Sequence, residues 1–93
     1  MLIRGSLLQA NRNRRDRIAI FSAILACTIE GTKKTKIMYT AGLSTAQLHK
    51  YMETLMRSEL LEMLRHKKAV VYKTTAKGKH FLEEFDSLVR LLS

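Results

Sequence analysis

The chain has 93 residues, 17 of them Lys or Arg and 8 Asp or Glu, for a formal charge of +9. That length holds one small core, and a 46% apolar content is too high for a disordered basic tail. A domain of this size buries roughly 60 to 65% of its unfolded surface, so its stability alone is marginal and an oligomer is expected.

The longest apolar run falls well short of the roughly 20 residues of a membrane span, and the N-terminal stretch MLIRGSLLQANRNRRDR has no extended apolar block of a signal peptide. The expectation is an intracellular, cytoplasmic protein. Cys27 is the single cysteine, which excludes an intramolecular disulfide framework, and its neighbours Ile24, Leu25 and Ala26 predict a buried thiol behaving as a small hydrophobe.

Charge is segregated along the chain. Residues 1 to 79 hold 16 basic and 5 acidic side chains, whereas residues 80 to 93 set Glu83, Glu84 and Asp86 against Arg90. A concentrated positive field suits a phosphate backbone, which rewards it through counterion release. The acidic, apolar C-terminal segment suits a partner helix instead.

Residues 1–13 read as a basic arm with Arg4, Arg12 and a short Leu7-Leu8 pair. From Arg14 to Ile29 the positions Ile18, Phe21, Ile24, Leu25 and Ile29 recur at helical spacing, predicting a first helix that begins near Asp16 and is closed by Gly31. Ile37, Met38 and Ala41 fit one face of a short second helix, and Gly42 supplies the positive φ of a sharp turn. Ser44 then reads as an N-cap with Gln47 completing a capping box, and Leu48, Tyr51, Met52 and Leu55, with Met56 at the edge, line one face of a third helix. A short helix, a glycine turn and a capped helix are the parts of a helix-turn-helix.

Leu60–Leu64 and Ala69–Thr74 are short apolar runs around Arg65-His66-Lys67-Lys68, predicting a hairpin with a basic tip. Thr74 or Thr75 can cap a last helix in which Phe81, Phe85, Leu88 and Leu92 repeat, with Leu82 and Val89 as a second line. Gly78 falls in its first turns, where a missing side chain lets the hairpin or the first helix approach closely. The predicted class is α+β, mostly α: a winged helix-turn-helix over 14–74, with a two-stranded wing and a C-terminal helix over 75–93.

The segments RRDRIAIFSAIL, GTKKTKIMYTAGLSTAQLHKYMETL and YKTTAKGKHFLEEF resemble the archaeal ten-kilodalton winged-helix DNA-binding proteins first known from Sulfolobus. The resemblance spans about residues 14–86, and TKIMYTAGLS at 35–44 and YKTTAKGKHFLEEF at 72–85 are its most specific parts. It implies a homodimer joined through the C-terminal helices, here Phe81, Leu82, Phe85, Leu88, Val89 and Leu92, with recognition helices and wings turned toward double-stranded DNA in an archaeal or archaeal-virus host cell. Two features depart from the family pattern. Ser58-Glu59 stand where the family usually has Lys-Gly, so the third helix must end without glycine, and the last helix has room for only about 18 residues, or about 27 Å. That length suits a compact helix pair better than a long coiled coil.

With Leu48, Tyr51, Met52 and Leu55 inward, Ala46, Gln47, His49, Lys50, Glu53 and Arg57 turn outward or to the flanks. Ser44, Thr45, Ala46, Gln47, His49 and Lys50 are then the candidate groove-facing set: Gln47 can donate and accept, His49 and Lys50 can reach bases or phosphates, and Ala46 can lie against a thymine methyl. Lys33, Lys34 and Lys36 at the start of the second helix would neutralise phosphates. Arg65, His66, Lys67 and Lys68 would form the wing tip, and Arg12, Arg14, Arg15 and Arg17 an arm or helix start near the backbone.

Met38, Met52 and Met56 read as core filling, and His49, His66 and His80 show no ligand spacing, so no metal is expected. Gly31-Thr32-Lys33 lacks a full phosphate loop, Glu83 and Glu84 diverge on a helix, and no effector pocket is legible, so the reading includes no enzyme, cofactor, small-molecule ligand or membrane partner. The leading function is a dimeric, nucleoid-associated protein on double-stranded DNA, either a transcriptional regulator or a small chromatin protein. The alternative is a winged-helix protein-interaction module without DNA binding; RNA is a weaker third because no row of outward aromatics offers stacking.

Overall fold

The computed structural model describes residues 17–92. Within them α1 is helical over 17–27, and α2 (Lys34–Ala41), α3 (Thr45–Arg57), β1 (Leu61–His66), β2 (Ala69–Thr74) and α4 (Ala76–Leu92) follow in order. The two strands form one antiparallel sheet, with Leu61 opposite Thr74 and His66 opposite Ala69. The mixed, mainly helical class is therefore observed.

The core is the meeting of three apolar helix faces with the base of the hairpin. Ile24 and Leu25 from α1, Ile37 from α2, Leu48, Met52 and Leu55 from α3, and Leu61 from β1 are buried together. Phe21 meets Tyr51 edge to face, with centroids 5.6 Å apart and planes at 81°, the arrangement that ring quadrupoles favour. Met38 and Met56 pack against this cluster, as expected of filler methionines. Ile18 and Ile29 do not join it and are exposed; the helix gives way to a turn at Thr28, so Ile29 loses the helical phase that would have turned it inward.

Local chemistry sets the turns. Gly42 has φ 66°, and its N–H donates to Tyr39 O while Leu43 N–H donates to Met38 O, closing α2 in the left-handed cap that glycine enters freely. Ser44 and Gln47 form the expected capping box: Gln47 N–H donates to Ser44 Oγ at 3.2 Å and Ser44 N–H to Gln47 Oε1 at 3.1 Å. Thr75 is the N-cap of α4, its hydroxyl accepting from Gly78 N–H at 3.0 Å while donating to Glu59 O at 2.6 Å.

The exit of α3 manages without glycine by placing a glutamate in the same geometry. Glu59 has φ 63°; its N–H donates to Met56 O at 3.0 Å and Leu60 N–H to Leu55 O at 2.9 Å, a Schellman closure. A side chain in the left-handed region costs about 1 kcal/mol. Glu59→Gly is therefore expected to stabilise the domain by about 1 kcal/mol, raising its Tm by about 4–8 °C. Thermal melting checks this, and a fall in Tm would mean the carboxylate has a compensating partner.

The hairpin tip is tighter than the four residues expected from sequence. Arg65 and His66 belong to β1, paired with Val70 and Ala69, and only Lys67 and Lys68 turn the chain. Lys67 makes this possible by taking φ 56°.

A buried threonine network fastens the wing to α1. Thr28 and Thr74, both essentially inaccessible, bring their hydroxyls to 2.8 Å of each other; Thr28 Oγ1 lies 2.9 Å from Ile24 O, Thr74 Oγ1 lies 2.6 Å from Leu25 O, and Thr74 N–H donates to Thr28 O at 2.9 Å. The two hydroxyl protons are shared among these three short contacts, and no buried side-chain polar atom is left unpartnered among the described residues. Thr32 adds a one-residue bridge to the sheet, exchanging two 2.9 Å backbone bonds with Tyr72.

Candidate nucleic-acid interface

The α2–turn–α3 unit carries the first group of candidate residues. Lys33, Lys34 and Lys36 crowd the start of α2, where no side chain caps the helix and no acid sits in the first turn. Cations at a helix N-terminus oppose its dipole by a few tenths of a kcal/mol each, and a phosphate placed there would offset this while meeting free N–H groups.

At the start of α3 the capping box determines what remains available. Ser44 Oγ is used as a cap, Gln47 Oε1 already accepts from Ser44 N–H, and the Thr45 hydroxyl points to Met38 Sδ at 3.5 Å. The groups left facing outward are the Ala46 methyl, the Gln47 amide NH₂, His49 and Lys50, all on exposed residues. The acceptor and donor capacities of Gln47 foreseen from sequence are thus unequal, because its oxygen has one partner within the chain.

Farther along the same face, Glu53 Oε1 accepts from Arg57 Nη2 at 2.9 Å and Glu53 Oε2 lies 3.8 Å from His49 Nε2. These residues, with Lys34, Met56 and Tyr72, line a groove of about 500 Å³ where α2, α3 and β2 meet. The groove and the ion pairs were missed in sequence, although the spacing of His49, Glu53 and Arg57 at four-residue intervals was visible there. Tyr39, 82% exposed on α2, is a further residue of this unit that apolar periodicity did not single out.

Arg65, His66, Lys67 and Lys68 are exposed on the wing, two on β1 and two at its tip. Arg17 is exposed at the first described position, and Arg12, Arg14 and Arg15 lie outside the described residues, as does the start of α1 foreseen near Asp16. None of Lys33, Lys34, Lys36, Lys50, Arg65, Lys67 or Lys68 makes an ion pair among the described residues. On α4, by contrast, Arg90 Nη2 lies 2.8 Å from Asp86 Oδ2, and His80 lies 3.7 Å from both Glu83 and Glu84.

The apolar stripe of α4 is divided in its use. Phe81 and Leu82 pack on the chain's own core and Phe85 is half-buried, while Leu88, Val89, Leu91 and Leu92 are exposed. Cys27 is half-buried, its Sγ donating to Ile24 O at 3.3 Å. Burial pushes its thiol pKa up, against the smaller lowering effects of a hydrogen bond from its own backbone and of Lys36. No helix among the described residues is long and apolar enough to cross a membrane, and no group of three or more His, Cys, Asp or Glu residues is placed to hold a metal there.

Comparison with solved structures finds the same architecture in proteins of low sequence identity. Sso10a-2, a DNA-binding protein from Sulfolobus solfataricus, matches with a TM-score of 0.70 at 23% identity, over 80% of this chain and 78% of that one. A double mutant of Lactococcus lactis ZitR in apo form matches with a TM-score of 0.68 at 19% identity, over 98% of this chain and 70% of that one. A MepR variant from S. aureus bound to an oligodeoxyribonucleotide gives 0.70 at 13% identity, over 98% and 73%. No curated protein sequence matches the chain. The family model described as winged helix-turn-helix matches residues 14–93, the span that holds α2, the glycine turn, capped α3 and the β1–β2 wing, and the chain belongs to that winged helix-turn-helix family.

Proposed function

We propose that this protein is a homodimeric double-stranded DNA-binding protein of the nucleoid, acting as a transcriptional regulator or a small chromatin protein. The observation that carries this reading is the set of cations without ion pairs among the described residues on the helix-turn-helix and the wing, next to an α3 N-terminus that turns the Ala46 methyl, the Gln47 amide NH₂ and Lys50 outward. Unpaired lysines spread over two adjoining elements repel one another in the free protein, and a polyanion removes that cost. In this reading α3 enters a major groove, Lys33, Lys34 and Lys36 hold phosphates, and Arg65–Lys68 follow a neighbouring groove or backbone. Solved winged helices of this shape include one described as DNA-binding and one bound to an oligodeoxyribonucleotide, which supports the assignment.

The dimer is assigned to the outer half of α4, where Leu88, Val89, Leu91 and Leu92 leave an apolar end that the chain's own core does not cover. The proposed organisation is a basic arm over 1–13, the winged domain over 14–74 and the dimerisation helix over 75–93. Binding to a random duplex of about 30 base pairs and to genomic fragments, titrated across salt, tests the reading together with mass in solution. Steep salt dependence of log K is expected, with a slope near −0.9 per phosphate contacted. Even binding to all fragments identifies a packaging protein, and enrichment of a symmetric site identifies a regulator. No binding at low salt would overturn the assignment.

A further inference from the structure

The outward stripe of α3 is not uniformly basic. Glu53 lies at its centre, its carboxylate 59% exposed, holding the Arg57 guanidinium at 2.9 Å and approaching the His49 imidazole at 3.8 Å. The three residues occupy successive turns of one face, so a single acid engages the cationic or donor group on either side of it. Exposed pairs at this spacing add little to helix stability.

On a surface that only collected phosphates, this acid would be counterproductive. It opposes the phosphate field directly, and it occupies Arg57, which would otherwise take a phosphate. A carboxylate is also acceptor-only. Phosphate oxygens are acceptors too, so the partners on a duplex from which Glu53 can gain are base amino groups in the major groove, the cytosine N4 and adenine N6 groups. Cytosine is the better match for a lone acceptor, because adenine pairs its amino group with the N7 acceptor that a carboxylate cannot serve.

We infer that Glu53 is a specificity-determining residue of α3: it restrains Arg57 and His49 from sequence-blind phosphate contacts and favours a duplex that presents a cytosine amino group at that position. This inference rests on the DNA-binding reading. A guanine or thymine at that position sets the carboxylate against acceptors instead.

The test compares the parent protein with Glu53→Gln, which keeps the side-chain shape and removes the charge, on a random duplex and on sites selected from a randomised library. The variant is expected to bind the random duplex about fivefold more tightly. Its salt slope should steepen by about one unit per protomer as Arg57 is released to a phosphate. Its preference for the parent's best site should fall about tenfold, and the selected sites should lose a cytosine at one position per half-site. Adding Arg57→Gln to Glu53→Gln should reverse the gain on the random duplex. A purely structural role would move the melting temperature and leave these ratios unchanged. A parent that binds every fragment equally, or a variant within twofold of the parent in both affinity and preference, would overturn the inference while leaving DNA binding intact. A parent that binds no duplex at low salt would overturn both.

Discussion

Gly78→Ala is expected to destabilise the domain by about 2–3 kcal/mol, lowering its Tm by about 10–20 °C. The direction is opposite to that for an ordinary glycine in a helix interior, where alanine gains about 1 kcal/mol. Gly78 stands in the first turn of α4, and a Cβ built there would overlap the Leu60 carbonyl oxygen and come within 2.5 Å of Thr74 Cγ2. Neither neighbour is a flexible side-chain end. Leu60 O already accepts from Thr75 N–H at 3.1 Å, Thr75 Oγ1 donates to Glu59 O, and Lys77 Nζ donates to Ser58 O at 2.9 Å. Thr74 is fixed by the buried hydroxyl network. Relieving the overlap therefore means moving α4 away from the exit of α3 and the end of β2 together. Thermal melting of Gly78→Ala beside Lys79→Ala, an exposed neighbour expected to change little, checks the sign. An increase in Tm for Gly78→Ala would show that α4 does not pack on Leu60 as described.

How much of this was legible in the sequence depended on whether the controlling chemistry was local. Gly42 and the Ser44–Gln47 box act over a few residues, and each has the geometry its residue types demand. The buried faces of α2 and α3 followed from periodicity, because the helical step alone decides which side of Leu48, Met52 and Leu55 faces the core. The Thr32–Tyr72 bridge and the Thr28–Thr74 contact could not be read in this way. Their partners are 40 or more positions apart, and one bridging residue carries no alternation pattern. The tight wing tip was hidden for another reason: Lys67 enters the left-handed region where glycine or asparagine usually announces such a turn.

The candidate site divides along the same line. Exposure of Ala46, Gln47, His49 and Lys50 followed from the inward face of α3, but which of their polar atoms were free did not, since periodicity assigns faces and not hydrogen-bond partners. Gln47 Oε1 and the Thr45 hydroxyl were taken up by neighbours that only the folded turn brings close. Glu53 looked like one flank residue among several until its oxygens were seen between Arg57 and His49. On α4, heptad-like spacing marked one continuous stripe, whereas the fold uses Phe81 and Leu82 for the core and leaves Leu88 onward uncovered.

Replacing Lys67 by Gly and Lys68 by Ala is expected to lower duplex affinity on the order of 100-fold near 50 mM salt without lowering stability. The pair is chosen for its backbone as much as its charge. Lys67 has φ 56°, so glycine relieves strain at that position and should offset any cost of changing the exposed Lys68. Loss of binding could then not be attributed to a collapsed wing. In the dimer proposed here four charges are removed, and if each holds one phosphate the slope of log K against log salt should become shallower by about 3.6, near 0.9 per contact. Because such contacts position the protein without reading sequence, affinity should fall by a similar factor on every fragment. Equal salt slopes for parent and variant would remove the wing from the interface and leave α2 and α3 to carry it. A loss confined to one sequence would instead place Lys67 or Lys68 against base edges, making the wing a reader of sequence rather than a clamp on the backbone.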